Sequence, residues 1–368
     1  MAELQTPFDR LIAAAKSLNP AEIQPAITCV EDFEKVTVVQ SEPFLAANRD
    51  ALSAAREALQ SKCSINLRYE GSYWAEHCEN EESLRRLTRS FAVELGQAYA
   101  QGRLGKAARI GLDILELANI LLRGGVITDF LVGNGCRGVG LDQLRRLRFQ
   151  LDEEDRRMLI RELPRLEVDR DSFEFVVERD QKWEAALNLL TVPLDMSQLE
   201  MDPKECGLSL EDQRELLRCL QTLAEAPREV RHARYADVDR INTAMLRMLV
   251  IDLALRSYRA VNRSFPDELA SLIPEYLGAL PLDPFMETGF HYQRQFTDRF
   301  VLYSPGPGRV NHGATFGPLS LTHAGQFDLC LDTSDYESSC CELESYPRGI
   351  PGLVVRQRNV WNRWMNRH

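Results

Sequence analysis

Across positions 80–122 the apolar residues fall three and four apart in two successive runs, a spacing that puts them on one face of a helix and on no face of a strand. The first run holds Leu84, Leu87, Phe91, Leu95 and Ala98, and Asn80 precedes it as a helix-capping residue with Glu81 and Glu82 in the first turn. Gly102 ends this helix, and Leu104 opens a second whose stripe is Ala108, Leu112, Leu115, Ala118 and Leu122. Two such stripes joined by a short loop bury each other as an antiparallel helical hairpin.

Helical signals recur on both sides of this hairpin. Thr6 and Pro7 read as a cap and first-turn proline of an Ala-rich helix that stops near Asn19 and Pro20. A second helix is expected over 44–59, and alternate Cys63, Ile65, Leu67 and Tyr69 suggest an extended segment over 61–74. Further helices are expected at 141–163, with Asp152 as an internal cap and Pro164 as the stop, and at 172–190, 209–225 and 236–261. After Phe265 and Pro266 the texture changes to short elements with a hairpin of 289–295 against 299–304. The fold class is mainly α, a helical array with helical-repeat-like hairpins followed by a small α+β module with a long helix and a short antiparallel sheet. Ala98, Tyr99, Gly102 and Ala107 fall where a tetratricopeptide-type helix pair places small and aromatic residues, but no repeat of about 34 residues recurs. The division reads as an N-terminal helical segment at 1–60, the array at 61–235, the α+β module at 236–335 and a basic tail at 336–368.

Composition narrows the partners. The 55 acidic against 44 basic residues give a net charge of −11, which repels phosphate backbones and argues against a nucleic-acid partner. The first residues lack the charged-then-apolar layout of a secretory signal, which suggests a cytoplasmic address. The stretch 245–255 is interrupted by Arg247 and Asp252 and falls short of the roughly 20 apolar residues that span a bilayer. The nine cysteines, at 29, 63, 78, 136, 206, 219, 330, 340 and 341, form no CxxC pair, so most read as reduced, buried small hydrophobes.

The run LRMLVIDLALRSYRAVNRSFPDELASLIPEYLGALPLDPF from Leu246, followed by FHYQRQFTDRFVLYSPGPG, resembles the soluble part of the type II secretion major pseudopilin. The upstream LRYEGSYW and AYAQGRLGKAARIGLDILELA segments are similar to helical domains fused to this module in planctomycete-type bacterial proteins, a family without an assigned activity. The resemblance implies a calcium site in the loop after the second strand. Here that loop carries Arg309 and His312 where carboxylates are expected, leaving Asn311, with Asp328 and Asp332 further on, as its candidate ligands. No cofactor is expected, calcium being the option whose carboxylates are missing.

Four groups of residues invite a chemical reading. The run 133–138, GNGCRG, is a literal GxGxxG after strand-like 126–132, so Gly133, Gly135 and Gly138 are candidate phosphate-cradling residues, but the surrounding βαβ unit is lacking and helix packing through small residues is the preferred reading. Glu174 and Glu178, one turn apart, are candidate acid and base, set against an ordinary solvated face neutralised by Arg170, Arg179 and Lys182. Glu76, His77, Cys78 and Glu79 form a dense ligand group, as do His323, Cys330, Cys340 and Cys341, but neither has established zinc spacing. In the tail, Trp361 and Trp364 share a helical face while Arg356 and Arg363 stay wet, a candidate surface for a protein partner or for peripheral membrane contact, or one that packs on the chain itself. The sequence thus suggests a non-catalytic scaffold or interaction protein; the alternative is an enzyme or small-ligand binder using a cleft between the helical and pilin-like domains.

Overall fold

Thr6 and Asp9 close a reciprocal cap, the Thr6 hydroxyl accepting from the Asp9 N–H at 3.1 Å and the Asp9 carboxylate from the Thr6 N–H at 2.9 Å. With Pro7 preset for the first turn, they start α1 (Pro7–Lys16) where the sequence places it. The computed structural model describes residues 6–19, 36–70, 73–186, 226–316 and 327–331. The expected helix at 209–225, Asp332, His323, Cys340, Cys341 and the tail with Arg356, Trp361, Arg363 and Trp364 lie outside the described residues.

The described residues divide into two compact units, the first within 6–140, 169–186 and 226–231 and the second within 141–168, 232–316 and 327–331. In the first unit α1, α2 (Val38–Ala47) and α3 (Arg49–Leu59) pack around α4 (Tyr73–Ala100), which pairs with α5 (Leu104–Leu121) as the expected hairpin. Gly102 makes the turn at φ +69°, and the Arg103 N–H reaches the Ala98 carbonyl at 2.8 Å, so the orphan carbonyls of α4 are satisfied by a glycine-dependent C-terminal turn. Because α4 is covered on most of its circumference, its polar residues carry their own partners. Arg56 bridges Glu94 and Asp113 while lying 5.0 Å from the Phe91 ring, and Lys106 adds a second contact to Glu94 at 2.9 Å.

Three sequence expectations are corrected here. First, α4 begins at Tyr73, so Asn80 lies buried inside it rather than capping it; burial of Tyr73, His77 and Cys78 extends the helix two turns upstream. Second, 126–132 is not a strand, because α6 (Ile127–Leu147) runs straight through the GNGCRG motif. A Cβ on Gly133 would stand 2.9 Å from the Leu121 Cβ and 3.1 Å from the Ala118 carbonyl, so this glycine lets α5 and α6 approach, and Val126 and Phe130 bury at helical rather than alternate spacing. Third, the expected 141–163 helix is two. Asp152 accepts the Asp155 N–H at 2.9 Å and thereby starts a new helix, α7 (Glu153–Val168), which passes through Pro164 because Leu159 and Leu163 are buried and Glu167 clamps Arg247.

Among the described residues the first unit also holds α8 (Phe173–Ala186) and the beginning of α9 (Arg228–Asn262), whose remainder forms the spine of the second unit. There Arg148 and Asp252, both buried, pair at 3.1 Å, Arg256 joins Asp252, and the Arg148 and Arg256 guanidiniums lie 4.0 and 4.2 Å from the Phe149 ring. Arg247 and Asp252, which interrupt the apolar run, thus have partners, and no described helix is long and apolar enough to cross a membrane. A 3₁₀ turn at Leu269–Leu272 follows α9, then an antiparallel sheet in the order β1 (His291–Arg294), β2 (Phe300–Ser304), β3 (Leu329–Cys330). The expected hairpin is present in the register His291 opposite Tyr303 and Arg294 opposite Phe300.

Candidate functional site

With α4 starting at Tyr73, His77 and Glu81 come one turn apart on one helical face. The third member of the group, Asp129, is positioned by the turn between α5 and α6. Gly124 takes φ +77°, and a Cβ there would meet the Ile65 carbonyl at 2.6 Å; a Cβ on Gly125 would meet Asp129 itself at 2.5 Å. The turn is pinned from three sides: Ile65 N–H donates to the Arg123 carbonyl, Asp171 N–H to the Leu122 carbonyl, and Gly124 N–H to the Asp171 carboxylate at 2.9 Å. Asp129 then caps its own helix, Oδ2 accepting the Val126 N–H at 2.8 Å.

The His77 Nε2 stands 3.2 Å from Asp129 Oδ2 and 3.9 Å from Glu81 Oε1, and one ligand atom from each residue falls within 4.8 Å of the others. His77 and Glu81 are 2% exposed and Asp129 is 0% exposed, so the three titratable groups share one buried site. Their separations favour charge attraction, but the hydrogen-bond directions are missed: His77 Nε2, Glu81 Oε1 and Asp129 Oδ1 have no hydrogen-bond partner among the described residues. Buried polar atoms of this kind cost about 1–3 kcal/mol each when left unsatisfied.

Electrostatics follows from burial and neighbours. Burial by itself depresses the His77 imidazolium, but the carboxylates of Asp129, Glu81 and Glu76 outweigh it and hold the group up at about 9. Burial, reinforced by Asp129, pushes the Glu81 carboxyl up to about 7 against the opposing His77, Arg85 and Thr128. The Tyr73 phenol is pushed up to about 12, first by burial and then by Asp129. Aromatic rings box the imidazole, with Tyr73 at 5.6 Å and Trp183 of α8 at 5.1 Å; Trp183 also lies 5.2 Å from Trp74 and donates its indole N–H to the Arg68 carbonyl at 2.8 Å.

Of the candidate ligand and catalytic residues read from sequence, His77 alone belongs to this group of three. Glu174 and Glu178 sit on the exposed face of α8, where Glu178 pairs with Lys182 at 2.8 Å, while the same helix turns Val176, Asp180 and Trp183 inward. Gly133, Gly135 and Gly138 lie within α6 and not in a loop at a helix start. In the second unit Asp328 accepts three backbone N–H groups, from His312 at 3.1 Å, Ala314 at 2.9 Å and Thr315 at 3.3 Å, and Asn311 Oδ1 accepts from the Tyr303 hydroxyl and the Gly313 N–H. Their oxygens are already turned toward donors and hold the turn closed. Cys63, Cys78 and Cys136 are buried and form no disulfide, and burial pushes the Cys63 thiol up to about 11, in keeping with the inert small-hydrophobe reading.

Asp180 supplies a pH test of this junction. It is 7% exposed, accepts the Ile127 N–H at 3.1 Å, and is pushed up to about 6 by burial, which outweighs that hydrogen bond. A raised carboxyl binds its proton more tightly in the folded chain, so its contribution is fully present below about pH 4 and is lost as pH rises through 6. Asp180→Asn keeps the acceptor and removes the slope: the variant gains on the wild type by roughly 2 kcal/mol between pH 4 and pH 7.5 in urea unfolding. A constant difference across that range contradicts the assigned burial of charge.

Neither known protein families, nor curated proteins, nor solved structures provide a match to the chain.

Proposed function

We propose that the helical unit is a binding module for one divalent transition-metal ion, held by His77 Nε2 and the carboxylates of Glu81 and Asp129. The observation that carries this reading is the convergence of three buried residues, each keeping one side-chain atom without a hydrogen bond among the described residues, His77 Nε2, Glu81 Oε1 and Asp129 Oδ1. Ligands bonded to a metal at about 2.0–2.2 Å stand roughly 3–3.6 Å apart, so the 3.2 Å pair already fits and Glu81, at 3.9 Å from His77 Nε2, stands just outside that range. Charge selects the valence: a dication with two carboxylates and a neutral imidazole is electroneutral, whereas a monovalent or trivalent ion leaves a buried net charge. The mixed nitrogen and oxygen set favours zinc, iron(II), cobalt(II) or manganese(II) over the all-oxygen preference of calcium.

The test is metal analysis of protein purified without a chelating tag and then equilibrated with zinc(II). The wild type and Glu178→Gln retain about one ion per chain, and His77→Ala and Glu81→Gln retain none. Equal retention by all four, or none by the wild type, overturns the reading.

The second unit favours an additional role. It carries a long α9, a 3₁₀ turn and a pair of antiparallel strands in sequence, and these are the elements over which the pseudopilin resemblance extends. With the resemblance, they support the reading of a scaffold in which the helical array and the pilin-like module present docking faces to a protein partner, at a cytoplasmic address or in peripheral contact with a membrane. Separating soluble from envelope fractions of native cells tests this reading: co-purification with secretion-type envelope components supports it, and an isolated soluble species counts against it.

A further inference from the structure

We infer that α8 is a lid over the His77, Glu81 and Asp129 site, and that its lifting controls passage of the metal ion in and out. The inference rests on the metal-binding reading and concerns how that site is reached. All three ligand groups lie on α4 and α6, and α8 contributes none, so it can move without removing a ligand. Yet α8 closes the site: the Trp183 ring meets the His77 ring edge-on at 5.1 Å, and Asp180 accepts the N–H of Ile127, two residues before Asp129.

The attachment of α8 suits a movable part. Its buried residues are Val176, Asp180 and Trp183, a stripe at spacings of four and three, while Glu174, Phe175, Glu178, Gln181, Lys182, Ala185 and Ala186 face outward. A single narrow stripe gives a helix less packing than α4 receives, and segments with few buried apolar contacts are the first to open. Toward its C-terminal end Trp183 bonds Arg68 and Glu184 pairs with Arg228 at 2.5 Å, and its N-terminal end is anchored separately. There Asp171 takes the Gly124 N–H and the Arg179 guanidinium and donates its own N–H to the Leu122 carbonyl, while Val176 packs with Leu122 and Phe130. Pivoting at Asp171 would lift Trp183 from His77 and leave α4 and α6 in place.

The experiment loads the full chain with cobalt(II), adds excess EDTA and follows loss of the cobalt absorption. Val176→Ala touches no ligand and loosens the lid; it should release cobalt about tenfold faster, the factor that 1.4 kcal/mol gives, with uptake accelerated to a similar degree and the retained amount unchanged. Trp183→Phe, which keeps a ring over His77 but loses the bond to Arg68, should act in the same direction. Hydrogen exchange confirms in each variant that the α8 amides open more often while those of α4 do not. Faster α8 opening with unchanged cobalt release overturns the lid. Failure of the wild type to take up cobalt is a separate outcome that overturns the metal-binding reading and the lid with it.

Discussion

Asp252→Ala lowers the stability of the second unit by about 3–5 kcal/mol, because it strands the buried guanidinium of Arg148 and removes the partner of Arg256. The Arg148 side chain is 1% exposed and Asp252 is 3% exposed, so water cannot replace the lost carboxylate without opening the core. The asymmetry is the informative part. Replacing both partners by apolar residues of similar volume, Arg148→Met with Asp252→Leu, should cost little or even stabilise, since the desolvation of two charges disappears with their attraction. Urea unfolding followed by circular dichroism measures both; equal losses in the single and double variants contradict an account in which the stranded charge dominates.

Trp183→Ala has the second large effect, about 3–5 kcal/mol on the first unit, from deletion of a large side chain that is 1% exposed. The cavity opens directly beside His77, Tyr73 and Val126, and the Arg68 carbonyl loses its donor. Trp183→Phe refills most of the volume and should recover the greater part of the loss, leaving about 1 kcal/mol for the missing hydrogen bond. Thermal unfolding by circular dichroism distinguishes the two. A Phe variant as unstable as the Ala variant places the weight on the indole N–H rather than on packing.

Helical periodicity made the α4 and α5 hairpin legible, because each stripe is long and Gly102 marks the turn between them. The β1 and β2 hairpin was legible for a similar reason, its strands being set off by aromatic residues and turn-forming neighbours. The site was not. Placing the start of α4 at Asn80 separated His77 from Glu81, although the i and i+4 spacing that joins them stands in the sequence. Reading 126–132 as a strand hid Asp129, whose role depends on a helix start that only the packing of α5, Ile65 and Asp171 defines. The helix α8 attracted notice through the wrong face: Glu174 and Glu178 are conspicuous as a carboxylate pair, but charge on an amphipathic helix usually marks its wet side, and the consequential residues are the inward Asp180 and Trp183. The glycines of GNGCRG were legible as packing residues, yet Gly133 makes the close approach while the motif's other glycines lie half-buried along α6.

Anomalous X-ray diffraction at the zinc edge, from crystals of the zinc-loaded full chain, shows whether the buried His77, Glu81 and Asp129 converge on a metal ion. A single strong peak is expected within about 2.2 Å of His77 Nε2 and of one oxygen each from Glu81 and Asp129. A map without that peak, with the three side chains joined to one another by direct hydrogen bonds or through water, would contradict it.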